Sequence, residues 1–412
     1  GMHAYVLKHG LLRNDDDDDV SIGNAIISMY VKCGALGKAC EMFETLPFSD
    51  VVTWNVMISG FTSHGYGDRA LSYFDQMQHE AFAPNSITFL SLLKACADIG
   101  SLQTGETLHV EISNLRLLEK EHVLGTTLVN MYAKCGDIGK AQEVFEKLPV
   151  QDVATWNALI DGYAEHAQSE EALNCFKKMQ VEGLSPPNEI TYICGLKACG
   201  NIGSLKVGEE IHSEVCKEGL LLKANHALGT ALIDMYAKCS VQEKAQEVFD
   251  EIPTTTIASW TALLAGYGQQ GQSKMVFMLF SKMMAACIDP DLVTFLVLLN
   301  ACSHAALVEI GKELFHDMIV LYGLTPTVEH YTCMVDLFGR AGDFGMAKRF
   351  LLDNVSVCLA FLGACQKWMK VELGRLAFEK IIQLDDRCAA AYVCMRNIYT
   401  AAAMDLEADR ME

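Results

Sequence analysis

MYAKCG at 131–136 has three echoes in the chain: MYVKCG at 29–34, MYAKCS at 235–240 and, degraded, LFGRAG at 337–342. The shifts are 102, 104 and 102 residues. Trp54, Trp156 and Trp260 recur at the same shifts, as do Pro47, Pro149 and Pro253. Cys96, Cys199 and Cys302, in KAC, KAC and NAC, step by 103. Self-similarity at a fixed period marks a repeat architecture. A period near 102 is far too long for one helical hairpin, so it must be subdivided.

It divides into three unlike units of about 31, 35 and 36 residues. The first runs 19–49, 121–151 and 225–255 and holds the MYxKC string. The second, 50–84, 152–186 and 256–290, holds the tryptophan. The third, of the TFLSLLKACADIG type, covers 85–120, 187–224 and 291–326. All 8 prolines fall at a unit's end or a junction, as expected of a residue whose ring and missing N–H exclude it from helix interiors. Within the tryptophan unit Trp54, Met57, Ile58 and Phe61 follow i, i+3, i+4, i+7. Ala70, Leu71, Phe74 and Met77 form a second stripe, repeated as Ala172, Leu173, Phe176, Met179 and as Val276, Phe277, Phe280, Met283. Each unit therefore reads as two antiparallel helices of about three turns. A lone hairpin cannot bury two stripes, so neighbours must stack on it. The fold expected is all-α, a right-handed α-solenoid of about ten stacked hairpins with remnants at both ends.

Composition agrees with this and narrows the function. Of 412 residues, 51% are hydrophobic and 20% charged, which excludes disorder and low complexity. The formal net charge of −20 argues against a generic basic nucleic-acid binder. The 16 cysteines contain no C-x-x-C pair and read as reduced, mostly buried thiols. No apolar run reaches the ~18 residues of a membrane-spanning helix. The opening GMHAYVLKHG lacks a transit-peptide composition.

Units of these lengths cycling in fixed order, with DVVTWNVMISGF, TFLSLLKACADIG and ALIDMYAKC, resemble the pentatricopeptide repeat family, and more narrowly its plant-type subclass of rotating P, L and S motifs. On that resemblance 1–18 is a partial L-type repeat, so the chain is expected to be a fragment opening in mid-repeat. Residues 19–326 form nine repeats, and 327–354 a last S-type repeat. Residues 355–412 are similar to the extension (E) motifs that follow the last repeats, shortened at FLLDNVSVCLAFLGAC and without the expected tryptophan. Nothing resembles the deaminase domain that some members carry.

The family implies single-stranded RNA bound one base per repeat, through the fifth residue of a unit and its last, counting from the residue after the junction Asp. The pairs so placed are Asn24 with Asp50, Asn55 with Asn85, Thr126 with Asp152, Asn157 with Asn188, and Thr261 with Asp291. By resemblance to the family code they stand for U, pyrimidine, G, pyrimidine and G. Thr230 with Thr256 has no assignment. Leu90, Ile193 and Leu296 in the L units cannot hydrogen-bond and are expected to be silent. The Pro186-Pro187 duplication shifts the register at Asn188 by one. The ordinary use of Asn and Thr in a first helical turn is to satisfy local backbone donors.

Lys32, Lys134, Lys238 and Arg340 share one offset at the end of the S unit's first helix. A cation there suits the helix dipole. Four in phase also suit a phosphate-tracking stripe. The run Asp15 to Asp19 reads as a solvated junction loop. His109-Val-Glu111 and His212-Ser-Glu214 mimic half of a zinc-deaminase signature but lack P-C-x-x-C. Packing is the expected role of these, and also of Cys33, Cys135 and Cys239, whose fourth place is taken by Ala341. No Walker loop, G-x-S-x-G or H-E-x-x-H is present.

The resemblance thus implies a non-enzymatic adaptor without cofactor, metal, membrane or small-molecule substrate. It would bind single-stranded RNA in a mitochondrion or chloroplast and select a cytidine for C-to-U editing. A deaminase or other editing-complex protein would be recruited through 355–412. Two alternatives stand beside it: an RNA stability or processing factor, and a protein-binding helical-repeat scaffold.

Overall fold

In the computed structural model residues 17–46, 48–119, 121–182, 186–221 and 226–409 are described. Most of the partial repeat at 1–18 and the junction Pro47 lie outside them. The described residues are helical throughout, with no strand, and none of their helices is long and apolar enough to cross a membrane.

Two compact units divide at residues 202 and 203, inside the stretch 187–224. The first holds the hairpins Asp17–Lys32/Leu36–Thr45, Val51–Ser63/Gly67–His79, Ser86–Ile99/Leu102–Asn114, His122–Lys134/Ile138–Lys147 and Val153–Glu165/Ser169–Glu182, then the helix Glu189–Ile202. The second opens with Leu205–Lys217. Its hairpins are His226–Lys238/Gln242–Glu251, Ile257–Gln269/Ser273–Ala285, Leu292–Ala305/Val308–Val320, Val328–Ala341/Phe344–Arg349, Val355–Lys367/Val371–Leu384 and Ala389–Ala401/Asp405–Asp409.

Within each unit the rule of assembly is the same. A first helix packs on the first helices of the hairpins before and after it, while a second helix lies against its own first helix. The first helices therefore form a continuous layer. Trp54, Met57, Ile58 and Phe61 are buried almost completely. Each repeated tryptophan meets a phenylalanine of the preceding second helix edge-on: Phe43–Trp54 at 4.7 Å, Phe145–Trp156 at 4.6 Å and Phe249–Trp260 at 4.6 Å. The third copy of the second stripe differs at one place, where Leu279 is buried in place of Phe280. Val276, Leu279 and Met283 are buried, while Phe277 and Phe280 are only half-buried.

One local expectation is corrected. The acidic run is not a loop along its whole length, because a helix begins at Asp17. Acidic residues suit the positive end of a helix dipole. The second helix Phe344–Arg349 spans 6 residues where its equivalents span 10.

Candidate nucleic-acid interface

Each first helix needs a side-chain acceptor for its opening amides. The residue supplying it is the last residue of the preceding unit. Oδ1 of Asp50 accepts from the amide of Thr53 at 2.7 Å, Asn85 from Thr88 at 3.2 Å, Asp152 from Thr155 at 2.8 Å, Asn188 from Thr191 at 3.0 Å and Asp291 from Thr294 at 2.8 Å. Capping alone would account for these residues. The fifth-position side chains add something that capping does not require.

Asn24 Nδ2 donates to Asp50 Oδ1 at 3.2 Å, Asn55 Nδ2 to Asn85 Oδ1 at 3.0 Å, and Asn157 Nδ2 to Asn188 Oδ1 at 3.1 Å. One threonine pair joins through one more hydroxyl: Thr126 and Thr155 lie 2.7 Å apart, and Thr155 donates to Asp152 at 2.6 Å. Thr261 instead donates to its own helix at Ile257 O, 2.7 Å away, and Thr294 gives its proton to Asp291 at 2.7 Å, so the two hydroxyls only lie near each other, 3.3 Å apart. Four pairs therefore meet across the seam between consecutive first helices. Asn188 takes the place held by Asn85, with the separation from its partner lengthened from 30 to 31 residues by the double proline.

Direction follows from the backbone. Amides only donate, so Asn85 must turn its oxygen to Ile87 and Thr88, and Asn55 must then present its NH2. Asn55 is 6% exposed, Asn157 7% and Thr261 7%. Asn85, Asp152 and Asn188 are exposed, and Asp50 and Asp291 half-buried. With Oδ1 occupied, each aspartate keeps Oδ2 as an acceptor and each capping asparagine keeps its NH2 as a donor. Partial burial pushes Asp50 up, but hydrogen bonds from the Thr53 amide and hydroxyl and from Asn24 outweigh it, so its carboxyl titrates below the ordinary range.

Thr230 and Thr256 are not joined. Thr230 donates to its own helix at His226 O, 2.8 Å away, and Thr256 caps Ser259. Leu90, Ile193 and Leu296 are half-buried. The four basic side chains stand in the last turn of their helices, as expected. Lys134 pairs with Asp98 at 3.8 Å, Lys238 with Asp234 at 2.8 Å and Arg340 with Asp336 at 2.7 Å. Lys32 is exposed, with no carboxylate in ion-pair range among the described residues.

Neither histidine motif gathers a metal site. His109 shares a hydrogen bond with Tyr132 at 2.9 Å and His212 with Tyr236 at 2.8 Å, and burial pushes both imidazoles below their ordinary range. No group of three metal-ligating side chains occurs among the described residues. The cysteine expectation is corrected in part. Cys33 is exposed and Cys135 and Cys239 half-buried, because they sit at the turn ending the first helix and not on its packed stripe.

Two sets of residues escaped the sequence reading. One is the hydroxyl at the third helical position (N3): Thr53, Thr88, Thr155, Thr191, Ser259 and Thr294, each at most 1% exposed. The signal was the D/N-x-x-T spacing of a capping motif. The other is the residue before it: Val52, Ile87, Ile190 and Val293 are all more than half exposed, apolar groups beside each seam.

A stack of helical hairpins carrying polar side chains at a fixed seam is a helical-repeat protein. The family follows from comparison. The model described as "PPR repeat family" matches residues 49–98, 151–201 and 255–304, and that described as "PPR repeat" matches 24–48, 126–153, 293–321 and 329–353, together more than half of the chain. The chain belongs to the pentatricopeptide repeat (PPR) family. It is 36% identical, over all of its length and 56% of the relative's, to the Arabidopsis thaliana pentatricopeptide repeat-containing protein At2g33680. It is 34% identical, over 97% of its length, to two others from that plant: At2g03380, named mitochondrial, of which 58% is covered, and At1g15510, named chloroplastic, of which 45% is covered. The chain thus spans about half the length of these curated relatives. Among solved structures it resembles the pentatricopeptide repeat protein PPR10 in complex with an 18-nt psaJ RNA element, at a TM-score of 0.70 and 17% identity, over 96% of this chain and 60% of that one. That likeness concerns the fold.

Proposed function

We propose that this chain is a non-catalytic, sequence-specific single-stranded RNA adaptor of the P, L and S subclass. The observation that carries the proposal is the joined pair at four seams, each leaving one polar edge outward. An outward Asp oxygen matches the ring N–H of U or G; an outward Asn NH2 matches a ring acceptor. Asp50 thus suits U, Asp152 and Asp291 suit G, and Asn85 and Asn188 suit a pyrimidine. Each contact contributes about 1–3 kcal/mol of discrimination, by analogy with duplex readout. Val52, Ile87, Ile190 and Val293 offer apolar flanks to the faces of the bases. Lys32, Lys134, Lys238 and Arg340 supply phosphate contacts. Exposed ion pairs contribute little, so phosphate oxygens can displace Asp98, Asp234 and Asp336. Local charge along the seam then outweighs the net acidity.

The relatives named mitochondrial and chloroplastic support an organellar setting. Within it, the role is selection of a cytidine for C-to-U editing, the deaminase being supplied in trans through the E-like extension 355–412. Those carboxylates beside three of the four cations favour a second reading, a scaffold for a basic protein partner. Selection from a randomised single-stranded RNA pool over a series of salt concentrations separates the two. Enrichment of U-Y-N-G-Y-N-N-G, lost in Asn55→Ala, supports the adaptor. No binding at low salt overturns it.

A further inference from the structure

The N3 hydroxyl does more than its capping role demands. Thr88 Oγ1 accepts from the Asn85 amide at 3.0 Å and donates to Asn55 Oδ1 at 2.6 Å, and Thr191 Oγ1 accepts from Asn188 at 3.0 Å and donates to Asn157 Oδ1 at 2.7 Å. Both polar atoms of each buried asparagine are thereby held, one by the capping residue and one by the threonine. Only the second N–H of its amide stays available. At the neighbouring seam Thr155 gives its proton to Asp152, so Thr126 must donate inward and turn its lone pairs outward. The same threonine thus shows a donor at one seam and an acceptor at another.

The sequence distributes these hydroxyls accordingly. Fifth residues Asn24, Asn55, Thr126, Asn157 and Thr261 are followed at the next N3 position by Thr53, Thr88, Thr155, Thr191 and Thr294. The apolar fifth residues Leu90 and Ile193 are followed by Leu124 and Leu228. Three seams depart from the rule. After the apolar Leu296 the N3 residue is the polar His330. After Thr230 the N3 residue is Ser259, whose hydroxyl turns to Thr256 O at 2.9 Å. After Thr332 it is Val357, and Thr332 donates to Val328 O at 2.9 Å. In the last two the fifth residue bonds its own helix, as Thr261 also does at Ile257 O, 2.7 Å away. A serine lacks the γ-methyl that restricts χ1 in threonine, and valine has no hydroxyl at all.

We infer that Thr88, Thr155 and Thr191 are positioning residues for base recognition, fixing which polar atom the fifth-position side chain turns toward the RNA. The inference rests on the RNA-reading proposal above. A threonine that only caps its helix would affect stability and the binding of every sequence alike. One that orients a reader changes the preference at a single nucleotide.

The test is selection from a randomised RNA pool with the full chain and with Thr88→Val, Thr191→Val and Ser259→Ala. Asn55→Ala and Asn157→Ala identify the nucleotide belonging to each seam. Thr88→Val and Thr191→Val should each lower the pyrimidine preference at their own nucleotide by roughly three- to tenfold, the worth of one hydrogen bond. Preferences elsewhere should stay unchanged, and Ser259→Ala should alter none. Two valine substitutions at separate seams guard against one failing to fold, which circular dichroism reports. Folded, RNA-binding valine variants that keep the preference within twofold would overturn the positioning role and leave the adaptor standing. Failure of the parent chain to bind RNA would overturn both.

Discussion

Asn157 Nδ2 donates to Asn188 Oδ1 at 3.1 Å across 31 residues of chain that include two consecutive prolines. The bond is the twin of that between Asn55 and Asn85, at 3.0 Å. It places Asn188, and not Pro187, as the last residue of its repeat. Asn188→Asp keeps the cap and exchanges an outward donor for an acceptor. The base selected there should move from either pyrimidine to U, by about 1–3 kcal/mol, as read by pool selection.

Asp50 gives a prediction in pH. Its carboxyl titrates below the ordinary range because three hydrogen bonds to the charged form outweigh desolvation. A depressed carboxylate contributes stability that is present above the unfolded value of about 3.9 and is lost as pH falls through the lower folded value. Carbon-detected NMR of the Asp50 carboxyl should therefore show a midpoint below that of unfolded aspartate, and Asn24→Ala should raise it. A midpoint unchanged by Asn24→Ala would contradict the seam.

The histidines behave in the opposite sense. His109 and His212, buried beside Tyr132 and Tyr236, are pushed down. Their neutral form is favoured by folding, so stability is full above the unfolded value of about 6.5 and declines as pH falls below it. Replacing both with glutamine should flatten the fall in melting temperature between about pH 6.5 and pH 5.

Ser240 stands where Gly34, Gly136 and Gly342 stand in the other copies of the opening motif. All four residues have positive φ: +63° for the serine, +71°, +89° and +79° for the glycines. A left-handed conformation costs an L-residue about 1–2 kcal/mol, offset in part by the greater unfolded entropy of glycine. Ser240→Gly should stabilise the protein by about 0.5–1 kcal/mol in denaturant melts.

Trp54 is 1% exposed, and its indole N–H is buried without an acceptor. Trp54→Ala should cost about 3–5 kcal/mol of stability. Trp54→Phe keeps the edge contact with Phe43 and removes an unsatisfied donor, so its cost should stay below about 1.5 kcal/mol. Equal costs would show that the ring retained by phenylalanine contributes nothing there.

Much of the fold was legible because it is written in periodicity. Trp54, Met57, Ile58 and Phe61 lie on one stripe in sequence and on one buried face in space. Prolines marked the junctions without any knowledge of contacts. What escaped depends on partners one hairpin away. Nothing adjacent to Thr88 announces that its hydroxyl meets Asn55. Nor does sequence tell that Thr230, of the same residue type and offset as Thr126, turns back to His226. The half-buried position of Phe280 escaped for the same reason: Leu279 is buried in its place, and the stripe fixes only which residues compete for the core.

The bond from Thr88 to Asn55 has a bearing on how such arrays are shuffled. On the proposed reading, a base is selected by Asn55 on one hairpin together with Asn85 and Thr88 on the next, so the piece that folds and the piece that specifies are out of step. Exchanging hairpin 50–84 as a block would carry Asn55 away from both of its partners. A transferable word of the array runs instead from Trp54 to Thr88. Its natural cut point lies inside the first turn of a helix, between the N3 hydroxyl and the fifth residue, where no loop marks a boundary.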